Sequence, residues 1–460
     1  MLRSAVTASG ICLLLGSGLL GLRLSRSDFN GSDRSSAGSL AQMSGALTLV
    51  QSFRGDPDRN VPSLWTERLG VQPATDLWRR YGRSIWWQAW SGDGDAYLIL
   101  PAFTLPAGIQ GLQRQRVGSL EVLASDALHR KQLLQRLPSS EASSISIGNN
   151  SLFMSCLQTL AGVPAVFWTA DALATISGTL APLLQQGREG CVRLQLQSDR
   201  LFWDGVVGER PLSSATQRMS IVTADADNPG SEQQFSNPTL LQIDGRRLDL
   251  ILGTLLSRQI IQAPLEEHYG INGSMRSTIA DQPFALRLRS RESGAYKAGL
   301  QIQLPLKGQP QQWLAMLEAV SDRLQSRGFQ QAPQAGSSVE SRSSTLWQRQ
   351  DDDGYTIVGG WQIINGLQNN AQQTSVLSIG FGMEPDPKSF LDLDLSKTSS
   401  ALRISGDPRQ LVQLGLLGGL WPKPVQQATG LTMAVNPLSR SGVGNSWWRI
   451  NGALTLRSVP

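Results

Sequence analysis

Apolar and polar positions along the chain follow two periods, and their succession lays out the body of the protein. "IWWQAW" and "DAYLIL", separated by "SGDG", read as a strand, a Gly/Asp turn and a second strand. "CVRLQLQSDRLFWDGVVG", "ALRLRSRESGAYKAGLQIQL" and "TLWQRQDDDGYTIVGGWQII" repeat that plan. Between these hairpins, "SDALHRKQLLQRL", "ADALATISGTLAPLLQQ" and "QPQQWLAMLEAVSDRLQSRG" carry the longer period of helices. In the last of them Trp313, Leu314, Met316, Leu317, Val320 and Leu324 fall on one face, and Gly328 is placed to cap the end. Strands joined by tight turns pair antiparallel, so the pattern predicts an α+β fold of mainly antiparallel sheets with helices packed on one side. The helix-then-hairpin unit recurs in both halves, which predicts a duplicated domain, placed after an N-terminal transmembrane helix.

That helix is expected in the first 25 residues. Gly16, Gly18 and Gly21 match the spacing of a dinucleotide-binding loop, but no complete strand precedes them. Residues 4–22 instead form an uncharged stretch between Arg3 and Arg23, which as a helix rises about 28 Å, close to the hydrocarbon thickness of a bilayer. Residues 1–25 are therefore expected to be a membrane anchor, with a cleaved signal segment as the alternative. Residues 26–45, rich in Ser and Gly, read as a flexible tether, 46–281 as a first α+β domain and 282–460 as a second. The short stretch before the apolar run favours an exported, extracytoplasmic body, although Arg23, Arg26 and Arg34 pull the other way.

Composition narrows the function classes. A length of 460 residues asks for more than one core. The 41 basic and 36 acidic residues leave a net charge of +5, and no basic run is long enough to track a phosphate backbone, so no nucleic-acid partner is expected. Ile11 precedes Cys12, which argues against lipidation there. Cys156 and Cys191 are left as either one disulfide or two buried thiols, and the absence of a C-x-x-C pair removes zinc-ribbon and thioredoxin-type sites.

Candidate chemistry is sparse. Gly382 to Ser389 falls one residue short of a phosphate-binding loop, because Pro387 stands where the second Gly belongs. Asp392 and Asp394 share one strand face about 7 Å apart, a spacing usable in two-carboxylate hydrolysis, but plain alternation with Leu391, Leu393 and Leu395 already predicts them and is the preferred reading. His129 and His268 are the two imidazoles on which a triad would depend. "DDDG" at 351–354 and "DADNPG" at 225–230 read as turns rather than calcium loops. No catalytic residue, metal or cofactor is assigned. The 13 tryptophans are the unusual feature. A strand over "IWWQAW" places Trp86 and Trp90 on one face and Trp87 on the other, and with Trp203 these are the candidate ligand-binding residues; helices covering both faces would bury them instead.

The C-terminal segment, with its Asp407-Pro408 helix start, Gly418-Gly419, the Trp421-Pro422 turn and a closing hairpin containing Trp447-Trp448, resembles a group of membrane-anchored proteins of unknown function from marine cyanobacteria. The resemblance is one of layout; it implies a plasma or thylakoid membrane, a body in the periplasm or thylakoid lumen, and no catalytic residues. The expected function is a non-enzymatic binding or assembly factor, held to the membrane by its N-terminal helix and engaging a membrane-protein partner. One alternative is a carrier of a hydrophobic ligand, a lipid or pigment, in a Trp-lined cleft. The other is a hydrolase built on Asp392 and Asp394 or on His268.

Overall fold

The computed structural model describes residues 34–92, 94–106, 111–137, 152–172, 187–208, 212, 239–249, 259–269, 271–280, 282–292, 296–306, 310–332, 344–351, 354–369, 372–388, 391, 400–416, 423–438 and 447–456. The fold is α+β, and every described strand pairing is antiparallel. Two compact units divide the chain: Met1–Pro229 with Gly418–Thr429 and Leu438–Pro460, and Gly230–Leu417 with Gly430–Pro437. The division thus falls upstream of the expected 281/282 boundary, and the last strand returns to the first unit. The expected anchor lies outside the described residues. Among the described residues no helix is long and apolar enough to cross a membrane.

In the first unit, chain order runs α1 (Arg34–Met43), β1 (Leu49–Arg54), α2 (Ser63–Leu69), α3 (Val71–Tyr81), β2 (Ile85–Trp90), β3 (Ala96–Pro101), β4 (Arg114–Val117), β5 (Leu120–Leu123), α4 (Ala127–Arg136), α5 (Leu152–Gly162), β6 (Ala165–Trp168), β7 (Glu189–Gln197) and β8 (Arg200–Gly208). A strand from the end of the chain, Trp447–Thr455, closes the sheet against β8. The spatial order is β4-β5-β3-β2-β1-β6-β7-β8 followed by that last strand.

Helices cover both faces of this sheet, which corrects the expectation of one helical side. Both parities of β1 to β3 are apolar, so each face has to be buried. On one face Trp87, Val50, Tyr97 and Ile99 pack with residues of α1, α4 and α5. On the other, Phe53, Trp86, Leu98 and Leu100 pack with α2 and α3. The expected tether is also corrected in its second half. Ala37, Leu40 and Met43 recur every third residue, are buried, and seat α1 on the first core. Its small residues permit close approach: Ser39 Oγ accepts from the Ser119 backbone N–H at 2.9 Å, beside Gly118.

The second unit contains β9 (Thr239–Gly245), α6 (Gln259–Tyr269), α7 (Gly273–Ala280), β10 (Phe284–Ser290), β11 (Ala298–Pro305), α8 (Pro310–Ser326), β12 (Gln330–Gln331), β13 (Ser344–Asp351), β14 (Gly354–Asn369), β15 (Gln372–Phe381), β16 (Leu402–Gly406), α9 (Pro408–Gln413) and β17 (Gly430–Pro437). Helix α10 (Lys423–Gln427) precedes β17 in sequence and belongs to the first unit; the last strand, Trp447–Thr455, is β18. The spatial order is β12-β13-β14-β15-β11-β10-β9-β16-β17. The centres of the two sheets thus share one arrangement. In the first, β1 leads through two helices to the hairpin β2/β3, in the order β3-β2-β1-β6; in the second, β9 does the same with β10/β11, in the order β11-β10-β9-β16.

One face of the second sheet is apolar and covered. Trp313, Met316 and Leu317 of α8 lie on Trp361 and Leu377, and Ile279 of α7 joins the packing. Leu314, expected on the same face, is exposed. Gly328 holds the left-handed conformation that ends α8, at φ +86°, where a side chain would be strained. Asp407 caps α9 as its Asp-Pro start suggested, accepting from the Gln410 backbone N–H at 3.0 Å.

Candidate functional site: the polar face of the second sheet

Five strands of the second unit alternate over their central residues, which places several polar residues together on the face opposite the helices. Thr432, Ser405, Gln242, Arg287 and Gln301 stand directly opposite one another on β17, β16, β9, β10 and β11. The next row holds Arg403, Asp244, Ala285, Gln303 and Ser378. Their inward neighbours Ile404, Ile243, Leu286 and Ile302 form the covered apolar side.

Residues 382–388 and Leu391 lie along part of this polar face. The Gln301 amide donates to the Glu384 carbonyl at 3.3 Å and the Gln303 amide to the Lys388 carbonyl at 2.9 Å. Leu391 returns its backbone N–H to Gln303 Oε1 at 3.1 Å. Gly380 and Gly299 permit the close approach, since a Cβ at either position would collide with Met383. Arg289 pairs with Asp386 at 3.2 Å, and Asp386 also accepts from the Lys388 backbone N–H at 2.9 Å. Most of the near-match to a phosphate loop is thus this segment, and none of its described residues is helical.

Charge on the face is unevenly settled. Gln242 donates to Asp244 at 2.7 Å. Burial holds the Arg287 guanidinium below the usual arginine range; Asp244 opposes that shift and neighbouring Arg289 adds to it. Arg403 is exposed. Gln301, only 1% exposed, leaves its Oε1 without a hydrogen bond, and Thr432 Oγ1 is likewise buried and unpartnered. An unmet buried acceptor costs about 1–3 kcal/mol.

Comparisons with protein-family models, with curated proteins and with solved structures find no match to this chain. The site is accordingly judged on its chemistry alone.

The four candidate tryptophans do not converge. Trp86 and Trp87 are buried in separate cores on opposite faces of the first sheet. Trp90 and Trp203 share the face of Trp86, but β8 lies four strands from β2, a separation of about 19 Å. Trp86 belongs to an aromatic box with Phe53, Trp65 and Trp78, its ring stacked on Phe53 at 4.4 Å. The Trp87 indole N–H donates to the Leu160 carbonyl at 2.8 Å.

His129 does gather hydrolase-type residues around it. Its Nδ1 lies 2.8 Å from Asp126 Oδ2 and 3.1 Å from Ser125 Oγ, and Ser125 also donates to Asp95. Both contacts fall on the same ring nitrogen, so this is no relay through the imidazole, which needs base and orienting groups on different nitrogens. Asp126 caps α4 through the His129 backbone N–H, and that bond, chiefly, keeps its carboxyl below the ordinary range. Asp392, Asp394, the His268 side chain and "DADNPG" lie outside the described residues. Among the described residues no group of three His, Cys, Asp or Glu side chains is placed to hold a metal.

Glu189, at the start of β7, carries the one carboxyl pushed near neutrality among the described residues. Burial raises it from 4.5 to about 7, partly offset by the Leu212 backbone N–H. Below 4.5 the group is protonated in both folded and unfolded chains; as pH rises to about 7 the unfolded chain ionises first and stability falls. Glu189→Gln is therefore expected to match the wild type at pH 4 and exceed it at pH 8 by about 1–2 kcal/mol, after discounting for the solvated part of the side chain. Urea midpoints at the two pH values measure this, and equal midpoints at pH 8 would refute it.

No strand alone announced the site. The available signal was alternation in "LQID", "ALRLRS", "LQIQL" and "LRIS", which predicts a sheet with one polar face only once the strands are known to be neighbours.

Proposed function

We propose that the protein is a membrane-anchored, exported binding or assembly factor, made of two copies of one helix-plus-hairpin plan, whose binding surface is the polar face of the second sheet. The observation that carries this reading is a contrast between the two sheets. The face of the first sheet opposite α2 and α3 is an apolar core under α1, α4 and α5. The matching face of the second bears Thr432, Ser405, Gln242, Arg287 and Gln301 in a row. Part of this face is covered by residues 382–388 and Leu391, which bury Gln301 and Gln303 and bond to them, whereas Arg403 in the adjacent row is exposed. The exposed part, with Arg403, is suited to contact with a polar partner.

A disulfide between Cys156 and Cys191, with Cα atoms 5.9 Å apart, supports placement in an oxidising compartment. The anchor expected in residues 1–25 and the resemblance to anchored cyanobacterial proteins support the reading, since tethering would raise the effective concentration of the body near membrane partners. The carrier alternative loses support from the scattering of the four tryptophans.

Native mass spectrometry of the full-length protein, gently released from its own membranes, tests this. The wild type is expected to retain a protein subunit that Arg403→Glu releases. A retained small hydrophobic mass, unaffected by Arg403→Glu, would overturn the proposal in favour of a carrier.

A further inference from the structure

We infer that the first unit lies against an anionic lipid surface through the end of its sheet that carries Phe103 and Tyr81, with Arg79, Arg80 and Arg83 on the lipid phosphates. This goes beyond the reading of the second sheet and makes no use of its polar face.

An exposed aromatic pair is the first argument. Phe103, just past β3, is 69% exposed, an apolar ring whose contact with water is unfavourable. It meets Tyr81 edge-on with ring centres 6.1 Å apart, and the Arg80 guanidinium stands 5.3 Å from the centre of the Tyr81 ring. Aromatic rings set among guanidinium groups suit the boundary between headgroups and acyl chains.

Charge is the second. Arg79, Arg80 and Arg83, at the end of α3 and just past it, are exposed and form no ion pair among the described residues. The acids at this end of the sheet are already opposed. In the loop after β1, which the Trp78 indole holds through the Arg59 carbonyl at 3.0 Å, Asp56 pairs with Arg59 at 3.7 Å beside Asp58. On β5, Glu121 stands directly opposite Arg116. The excess is positive, and anionic headgroups attract such a cluster.

The third is the direction of the chain. The Ala102 backbone N–H donates to the Ser119 carbonyl at 2.8 Å, and Ser119 in turn donates to Ser39 of α1. The chain then enters β1 from the far end of the sheet, where the Thr48 N–H donates to the Trp90 carbonyl at 2.8 Å. Helix α1 therefore starts, at Arg34, on the same end as Phe103. Residues 26–33 separate Arg34 from the expected anchor and reach at most about 29 Å when extended, so this end of the body faces the bilayer at short range. That step rests on the anchor expected in residues 1–25; the aromatic and charge arguments do not.

The test places a spin label at Phe103→Cys in full-length protein carrying Cys12→Ser, with the Cys156–Cys191 disulfide intact, and reads depth from its accessibility to oxygen and to an aqueous nickel reagent. Val71→Cys is the control: Val71 is 73% exposed at the start of α3, about 15 Å along the helix from Tyr81. On vesicles of equal parts phosphatidylglycerol and phosphatidylcholine, the label at 103 is expected about 5 Å below the phosphates and the label at 71 in water. Combined Arg79→Glu, Arg80→Glu and Arg83→Glu should return the label at 103 to water, as should pure phosphatidylcholine or salt at about 1 M. Near-ultraviolet circular dichroism checks that each variant is folded. A label at 103 as accessible to the nickel reagent as the label at 71 overturns the inference, as does equal immersion in the folded charge-reversed variant or in phosphatidylcholine alone. A label that stays in water on vesicles but is shielded in protein released from its own membranes with a subunit attached overturns it in favour of a protein partner. Flotation separates the anchor: if the chain fails to float with phosphatidylcholine vesicles the anchor expectation falls, and the inference then stands only if phosphatidylglycerol vesicles carry the wild type at least about tenfold more tightly than the charge-reversed variant.

Discussion

Trp87→Ala is expected to destabilise the first unit by about 3–5 kcal/mol, the cost of emptying a large aromatic site in a packed core. Trp87 is 1% exposed and sits among Val50, Tyr97, Phe153 and Phe167. Its indole N–H also satisfies the Leu160 carbonyl at 2.8 Å, so the variant strands a buried acceptor in addition to opening a cavity. Trp87→Phe keeps most of the volume and loses the hydrogen bond, and an intermediate loss is expected. Urea unfolding followed by near-ultraviolet circular dichroism measures both, with the transition of the first unit fitted separately because a chain of two units need not unfold in one step. A loss below about 1 kcal/mol for Trp87→Ala would mean that this ring faces a void or solvent, contrary to its burial.

Opening the Cys156–Cys191 disulfide ranks second. The bond ties α5 to β7 with both cysteines fully buried, and the two are 35 residues apart in sequence. In the chain-entropy account a loop of that length gives about 4 kcal/mol, by restricting the unfolded chain. Paired Cys156→Ala and Cys191→Ala substitution should lower stability by about 2–4 kcal/mol, since the small side chains also leave space behind. Thiol titration of the denatured protein, isolated without reductant, gives the direct check. Two reactive thiols from these positions would remove the disulfide and, with it, the support for an oxidising compartment.

The hairpins were legible from sequence because their turns and alternation are local. β2/β3, β7/β8, β10/β11 and β13/β14 all form where "SGDG", "SD", "SRESGAYK" and "DDDG" interrupt apolar runs. Two local patterns were read too coarsely. Ser- and Gly-rich composition masked the spacing of Ala37, Leu40 and Met43 that makes α1 a packed helix. The apolar content of both parities in "IWWQAW" and "DAYLIL" already implied cover on both faces. Other features were out of reach, because they depend on pairings between distant segments. Arg449 meets Asp204 across 245 residues at 2.9 and 3.0 Å, and that hydrogen bond chiefly raises the arginine above its usual range. Nothing local in "WWRINGALT" says that its partner is β8. The polar face was hidden for the same reason: Arg287 beside Leu286 and Leu288 reads as an ordinary half-exposed strand until β9, β10, β11, β16 and β17 are laid side by side.

Because β18 pairs with β8 and the whole second unit is inserted between them, the first sheet is finished by a strand synthesised only after the second unit. At about 5–20 residues per second, the outer edge of β8 waits roughly ten to fifty seconds for its neighbour. During that interval it presents an unpaired ladder of backbone N–H and C=O groups, the kind of edge on which chains join one another. Biogenesis of the first unit is therefore a race between synthesis of β18 and self-association of an unfinished sheet, and a chain broken off before β18 leaves the first sheet, not the second, without its closing strand.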